Sequence, residues 1–324
     1  GIRLINTATN TTIIGNYIGT DINGSADLGN NENGVYIDNS DGTVVGGNAE
    51  GSRNVISGNN EHGIGVSGGS ADTVITGNYI GTDLNGTADL GNTLNGISMA
   101  TNSGTIIGGT TTEVRNIISG NNQNGVYIGS VTTTLTLQGN YIGTDVNGTA
   151  DLGNTNDGIQ INTGSNGLTI GGTASGARNV LSGNDGNGID NSSASTVVVG
   201  NYIGIGADGI TDVGNTAEGV LSSGADVIIG GTVSGARNVV SGNGSTGIAI
   251  LGDGSVVQGN LVGTSADGLS AVGNTSAGIG IQGADGNNIT IGGSTSAARN
   301  VVAASSGGSL SGAGIAIIGF GTAN

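Results

Sequence analysis

Seventy of the 324 residues are glycine, proline, cysteine, lysine and tryptophan are absent, and six basic against 23 acidic residues give a formal net charge of −17. This excludes a collagen-like triple helix, a disulfide scaffold and a membrane span of about 20 consecutive apolar residues, and six arginines cannot supply the basic stripe that nucleic acid or an anionic membrane surface requires. Disorder is disfavoured as well, because 34% of residues are apolar, only 9% are charged and mean hydropathy is slightly positive at +0.07.

The chain opens on Gly1 with no initiator Met, which fits a removed leader or a piece of a longer array. From there the organisation is repetitive. Gly15-Asn16-Tyr17-Ile18-Gly19 recurs from Gly77, Gly139 and Gly200, and as Gly259-Asn260-Leu261-Val262-Gly263. Between these copies lies Arg53-Asn54-Val55-Ile56-Ser57, repeated from Arg115, Arg178, Arg237 and Arg299. Each unit of about 62 residues is therefore a doublet, and a glycine-led signature, Gly-Ile/Val-x-apolar, divides it into halves from Gly1 and Gly34 onward to Gly314. The count is ten turns and the start of an eleventh.

Each turn holds three short runs with period-2 alternation and none with helical spacing. In Gly34-Val35-Tyr36-Ile37, Val35 and Ile37 face inward and Tyr36 outward; Thr43-Val44-Val45-Gly46 and Asn54-Val55-Ile56 follow. Strands this short bury a face only if successive turns stack and pair in parallel. The predicted fold is all-β: one right-handed parallel β-helix over residues 1–324, with three short strands per turn, its hand set by the chirality of parallel crossovers. Asparagine stands at one point of every turn, at Asn16, Asn54, Asn78, Asn116, Asn140, Asn179, Asn201, Asn238, Asn260 and Asn300, as an inner ladder of stacked amides would require.

The doublet GNYIGTD-x-NGTADLGNT-x-NG, followed by T-x-IGGT-x-SGARNVISGN, resembles the parallel β-helix repeats of very large bacterial surface and secreted proteins, and the resemblance covers essentially the whole chain. It implies a right-handed β-helix located extracellularly or at the cell surface, with an adhesive or structural role. It implies no reaction.

Four sets of residues are candidates for chemistry. The loop after the third strand of each long turn carries Asp21, Asn23 and Asp27, then Asp83, Asn85 and Asp89, then Asp145, Asn147 and Asp151, oxygen donors around a turn glycine. Calcium suits such donors, although the bidentate Glu of an EF-hand is missing, and plain turn capping is the other reading. Five of the six arginines occupy one equivalent position, where each pins its loop by pairing with an Asp or with backbone carbonyls.

The residue after the ladder Asn is always apolar, and so is the next. One of them must face outward, and Tyr17, Tyr79, Tyr141 and Tyr202 would form either an interface stripe or a row covered by Leu28, Leu90, Leu152, Val213 and Val272 of the long loops. The single histidine, His62, lies beside Glu61 with Glu32 one turn earlier, a set that would serve acid–base catalysis, although His62 replaces an exposed asparagine and reads as a solvated side chain. No regular Thr-x-Thr array indicates an ice-binding face. The functional expectation is a noncatalytic extracellular module whose partners are further copies of itself, joined end to end or laterally, or surface glycans. A polysaccharide-binding or polysaccharide-cleaving β-helix is the alternative.

Overall fold

A computed structural model describes residues 1–129, 132–283, 288–307 and 312–319. The chain winds as a right-handed parallel β-helix. Its strands fall into three parallel sheets in strict succession. The first has eleven strands, from Ile2–Leu4 and Val35–Asp38 to Ile279–Gly283 and Ile315–Gly319. The second has ten, from Thr12–Ile13 to Thr290–Ile291, and the third has ten, from Tyr17–Ile18 to Val301–Val302. Apart from two single-turn 3-10 segments in short-turn loops, Thr112–Val114 and Ser175–Ala177, the described residues hold no helix.

Register follows the repeat. Ile64 pairs with Ile97 and Ile97 with Val126 in the first sheet, while Tyr17 pairs with Val55 and Val55 with Tyr79 in the third. Like residues therefore stack on like, as two-residue periodicity demands once one face is buried. Val35 and Ile37 are fully buried and Tyr36 is half-buried on the outside. In the third strand the second apolar residue turns inward: Ile18, Ile56, Ile80, Ile118 and their equivalents join one continuous core running the length of the coil.

The corners depend on backbone that side chains rarely permit. Gly143, which follows the third-sheet strand Tyr141–Ile142, has φ +88°, and a Cβ there would run into the carbonyl oxygen of Ser182 in the next turn. Both the left-handed φ and the close approach exclude any other residue. Gly143→Ala is expected to destabilise the fold by about 2 kcal/mol or more, measured by denaturant melts; an unchanged midpoint would show that this corner relaxes freely.

Candidate functional site

Beyond the core, stability rests on asparagine columns. The Nδ2 of Asn54 donates to the Oδ1 of Asn78 in the next turn at 2.9 Å and to the Ile13 carbonyl of the turn before at 2.8 Å, and the Asn54 backbone N–H reaches the same Oδ1 at 3.3 Å. The same bonds run from Asn16 to Asn300, always donating toward the later turn. A second column, absent from the sequence reading, runs from Asn30 through Asn59, Asn92 and Asn121 to Asn274 at the corner leading to the first sheet. Its signal was present in the asparagines of SGN and LGNT, which alternate from turn to turn and so look like two unrelated loop residues.

A third column has the opposite polarity. The backbone N–H of His62 donates to Asn33 Oδ1, that of Asn95 to His62 Nδ1, and that of Asn124 to Asn95 Oδ1, at 3.0–3.3 Å. It continues through Asp157 and Asn187 to the N–H of Glu218. His62 thus fills a half-buried ladder slot in place of the expected solvated position. The acid–base set around it is not assembled: Glu61 accepts from the Asn33 amide at 2.7 Å, and Glu32 lies 4.0 Å from Arg3. Burial holds the His62 pKa below its usual value.

The calcium candidates do not fit the ion. Asp21 Oδ1 accepts the N–H groups of Ser25 and Ala26 at 2.8 and 3.1 Å, and its Oδ2 accepts the Asn23 amide at 3.1 Å. Asp83 with Asn85, and Asp145 with Asn147, repeat the pattern. The carboxylate oxygens face the loop's own donors, and each asparagine offers its NH2 where a metal needs an oxygen. Asp27, Asp89 and Asp151 stand across a small hairpin, bridged to Thr20, Thr82 and Thr144; Asp89 and Asp151 accept from Gly91 and Gly153. Among the described residues no three His, Asp or Glu side chains could hold a metal ion together. In Asp21 the Ser25 N–H is the main influence lowering the pKa; in Asp83 and Asp145 burial is the largest single influence and opposes the fall, but several hydrogen bonds outweigh it.

The tyrosine row is covered by its own loops except at Tyr17, which is 41% exposed. Tyr79, Tyr141 and Tyr202 are buried in a second apolar cluster with Val55, Ile117 and Val180, so they offer no lateral interface. Leu84, Val146, Ala207 and Ala266, one residue after the loop Asp or its equivalent, pack against this cluster. Of the residues expected to do so only Val272 takes part, and Leu28 is 71% exposed. These loops also bond to one another across the intervening short turn: Leu84 N–H donates to Gly24 O, Val146 to Gly86 O, Ala207 to Gly148 O and Ala266 to Gly209 O, at 2.7–2.9 Å. From the other side the guanidinium groups of Arg53, Arg115 and Arg178 lie 3.9–4.0 Å from the ring centres of Tyr79, Tyr141 and Tyr202. Arg115, Arg178 and Arg237 also donate through Nε to the carbonyls of Gly139, Gly200 and Gly259. The arginine row therefore clasps rings and backbone, and the loop aspartates take no part.

One cluster breaks the repeat. On the outer side of the first sheet, Asp190 faces outward between Gln160 and Leu221, with Asp157 and Glu218 near it from the third column. Burial, then the charges of Asp157 and Glu218, push the Asp190 pKa up to about 6. Asp157 is 9% exposed, and its Oδ1 accepts both the backbone and side-chain N–H of Asn187. A carboxyl that still carries a proton at mildly acidic pH can act as a general acid. Sequence reading passed it over because the three residues are about 30 apart and each stands in a repeat slot held elsewhere by an uncharged or unrelated side chain.

No family model and no curated protein matches the chain. Among solved structures it is similar to a mannuronan C-5 epimerase A-module from Azotobacter vinelandii (13% identity, 93% of this chain and 77% of that one, TM-score 0.40). It is also similar to the Dettilon tailspike protein (18%, 97% and 61%, 0.44) and to an alginate lyase from a Paenibacillus species (12%, 94% and 99%, 0.39).

Two pH responses of opposite sign follow. A folded His62 pKa below the unfolded value means that stability is lost as pH falls through 6.5, so His62→Asn should flatten the melting temperature between pH 7 and pH 5. Asp190 has a folded pKa above its unfolded value, so its contribution is favourable at low pH and is lost as pH rises through about 6. Asp190→Asn should raise the melting temperature at pH 7 and leave it little changed near pH 4; a lower melting temperature at pH 7 would overturn the assignment.

Proposed function

We propose that the chain is a noncatalytic extracellular scaffold, a stiff β-solenoid that spaces and displays its loops at a cell surface. One observation carries this reading: the repeated side chains able to do chemistry are spent on neighbouring turns or on their own loops. The ladder asparagines bond to asparagines and backbone, Asp21, Asp83 and Asp145 to N–H groups of their own loops, and Arg53, Arg115 and Arg178 lie over tyrosine rings. Repetition of this kind builds stiffness, because each added turn supplies the hydrogen-bond partners of the last. No helix among the described residues is long and apolar enough to cross a membrane, and the net charge of −17 opposes nonspecific clumping.

A second reading is supported by the Asp157, Asp190 and Glu218 cluster: a polysaccharide-binding or polysaccharide-cleaving face on the outer side of the first sheet, with Asp190 as the acid. Five of the six arginines lie in the row along the third sheet, so the cluster would take a neutral glycan in preference to an anionic one.

The two readings separate in one assay. Incubation with neutral and acidic polysaccharides is expected to release no reducing or unsaturated ends, while electron microscopy shows rods of about 48 Å from ten turns at ~4.8 Å each. Release that disappears in Asp190→Asn would replace the scaffold with the enzyme.

A further inference from the structure

The corner between the first and second sheets has two inward slots. Ser40 and Thr43 hold them in the second turn, Ser193 and Thr196 in the seventh. In both turns the protein supplies the partners of these hydroxyls. Ser40 Oγ donates to Asp38 O and Thr43 Oγ1 to Ser40 O, while Ser193 Oγ donates to Ser165 O and Thr196 Oγ1 to Asn191 Oδ1. A buried asparagine beside them is used at both ends: Asn191 Nδ2 donates to Ser193 O and Ser222 Oγ, and its Oδ1 accepts from the Ser193 N–H as well as from Thr196.

The third, fourth and fifth turns break this pattern. The Oγ1 atoms of Thr73, Thr105 and Thr132, and both the Oδ1 and the Nδ2 of Asn102, have no hydrogen-bond partner among the described residues. Asn102 is 4% exposed and the three threonines are fully buried. The four side chains are neighbours. Val74 pairs with Ile106 and Ser103 with Thr133, so Thr105 stacks on Thr73 and Thr132 on Asn102, about 4.8 Å from turn to turn. Asn102 and Thr105 share one loop. The other unpaired atoms, on Thr144, Ser276 and Ser305, lie singly at other corners. A buried polar group left unpaired carries its full desolvation cost, and such groups in folded proteins find a partner in protein or water.

The chemistry of the four side chains defines that partner. Asn102 presents N–H donors and a carbonyl acceptor, and each hydroxyl does both, so the partner must donate and accept. It is neutral, because a cation would meet the Asn102 NH2 and an anion would find no positive charge. The buried carboxylates among the described residues, Asp83, Asp145 and Asp157, belong to the long loops and the third column. It is small, because the inward residues of the adjoining strands, Ile75, Met99 and Ile107, are fully buried. Leu135 and Leu168 fill the slot of Thr73 and Thr105 in the fifth and sixth turns, so the coil accommodates a longer side chain than threonine there.

We propose that this corner is an internal hydration site, in which water bridges Asn102 to the hydroxyls of Thr73, Thr105 and Thr132. A buried water makes about three hydrogen bonds, so five unpaired atoms take about two waters. Water does for the third to fifth turns what Asn191 does for the seventh. The inference goes beyond the function proposed above and holds for a scaffold and an enzyme alike, since the site is sealed inside the coil.

Thr→Val removes a hydroxyl at nearly constant shape and tests the site in the full chain. Long-lived internal waters, counted in solution by magnetic relaxation dispersion, are expected to fall by at least one in the double variant Thr73→Val, Thr105→Val. Thr43→Val, whose hydroxyl already has the Ser40 carbonyl, should leave the count unchanged. A high-resolution crystal map of the unmodified chain should show ordered water about 2.7–3.2 Å from Asn102 Oδ1 and Nδ2. An unchanged count in the double variant, or a map without density at this corner, overturns the proposal. So does a melting temperature raised by both single valine variants, the result expected if a dry, unpaired hydroxyl were removed. If a valine variant fails to fold, the map of the unmodified chain decides alone.

Discussion

The structure depends on one constraint: no turn can satisfy its own main-chain hydrogen bonds. Strands of two to five residues pair only with the turns before and after, so an isolated turn would leave its N–H and C=O groups without partners. The side chains at the corners obey the same rule. An asparagine amide turned into a corner is tolerable because the next turn supplies an identical amide with the complementary end facing it. Stacking is thus enforced by polar groups as much as by the aliphatic core.

That constraint explains why so little of the repeated chemistry is left for solvent. The loop aspartates resemble metal ligands in spacing, yet Asp21, Asp83 and Asp145 turn their oxygens to loop N–H groups and a neighbouring amide. Tyr79, Tyr141 and Tyr202 sit under guanidinium groups, the apolar residues of long loops and the bonds those loops make with each other. A cation over an aromatic ring is worth about 0.5–2 kcal/mol depending on desolvation, and here it recurs every second turn. The arginines consequently act as clamps between turns.

Departures from the repeat are the informative positions. His62 keeps a ladder bond through its ring nitrogen, so one substitution converts a structural column into a pH-sensitive one. Asp157, Asp190 and Glu218 gather three carboxyl groups where other turns have none, and burial, then that crowding, raises the Asp190 pKa.

The fold was legible in the sequence because its determinants are periodic: the two-residue alternation of Val35 and Ile37 and the glycine and asparagine at fixed intervals specify stacked parallel turns regardless of context. The inner ladder from Asn16 to Asn300 was legible for the same reason. What only the tertiary structure decided was which polar groups meet. Whether Asn23 turns its oxygen or its NH2 toward Asp21, whether Leu28 or Leu84 covers the tyrosines, and whether Glu61 faces His62 or Asn33 depend on side-chain direction and on the rise between turns. Linear spacing carries neither quantity, and the carboxyl groups around Asp190 meet only because turns of about 30 residues bring them to one face.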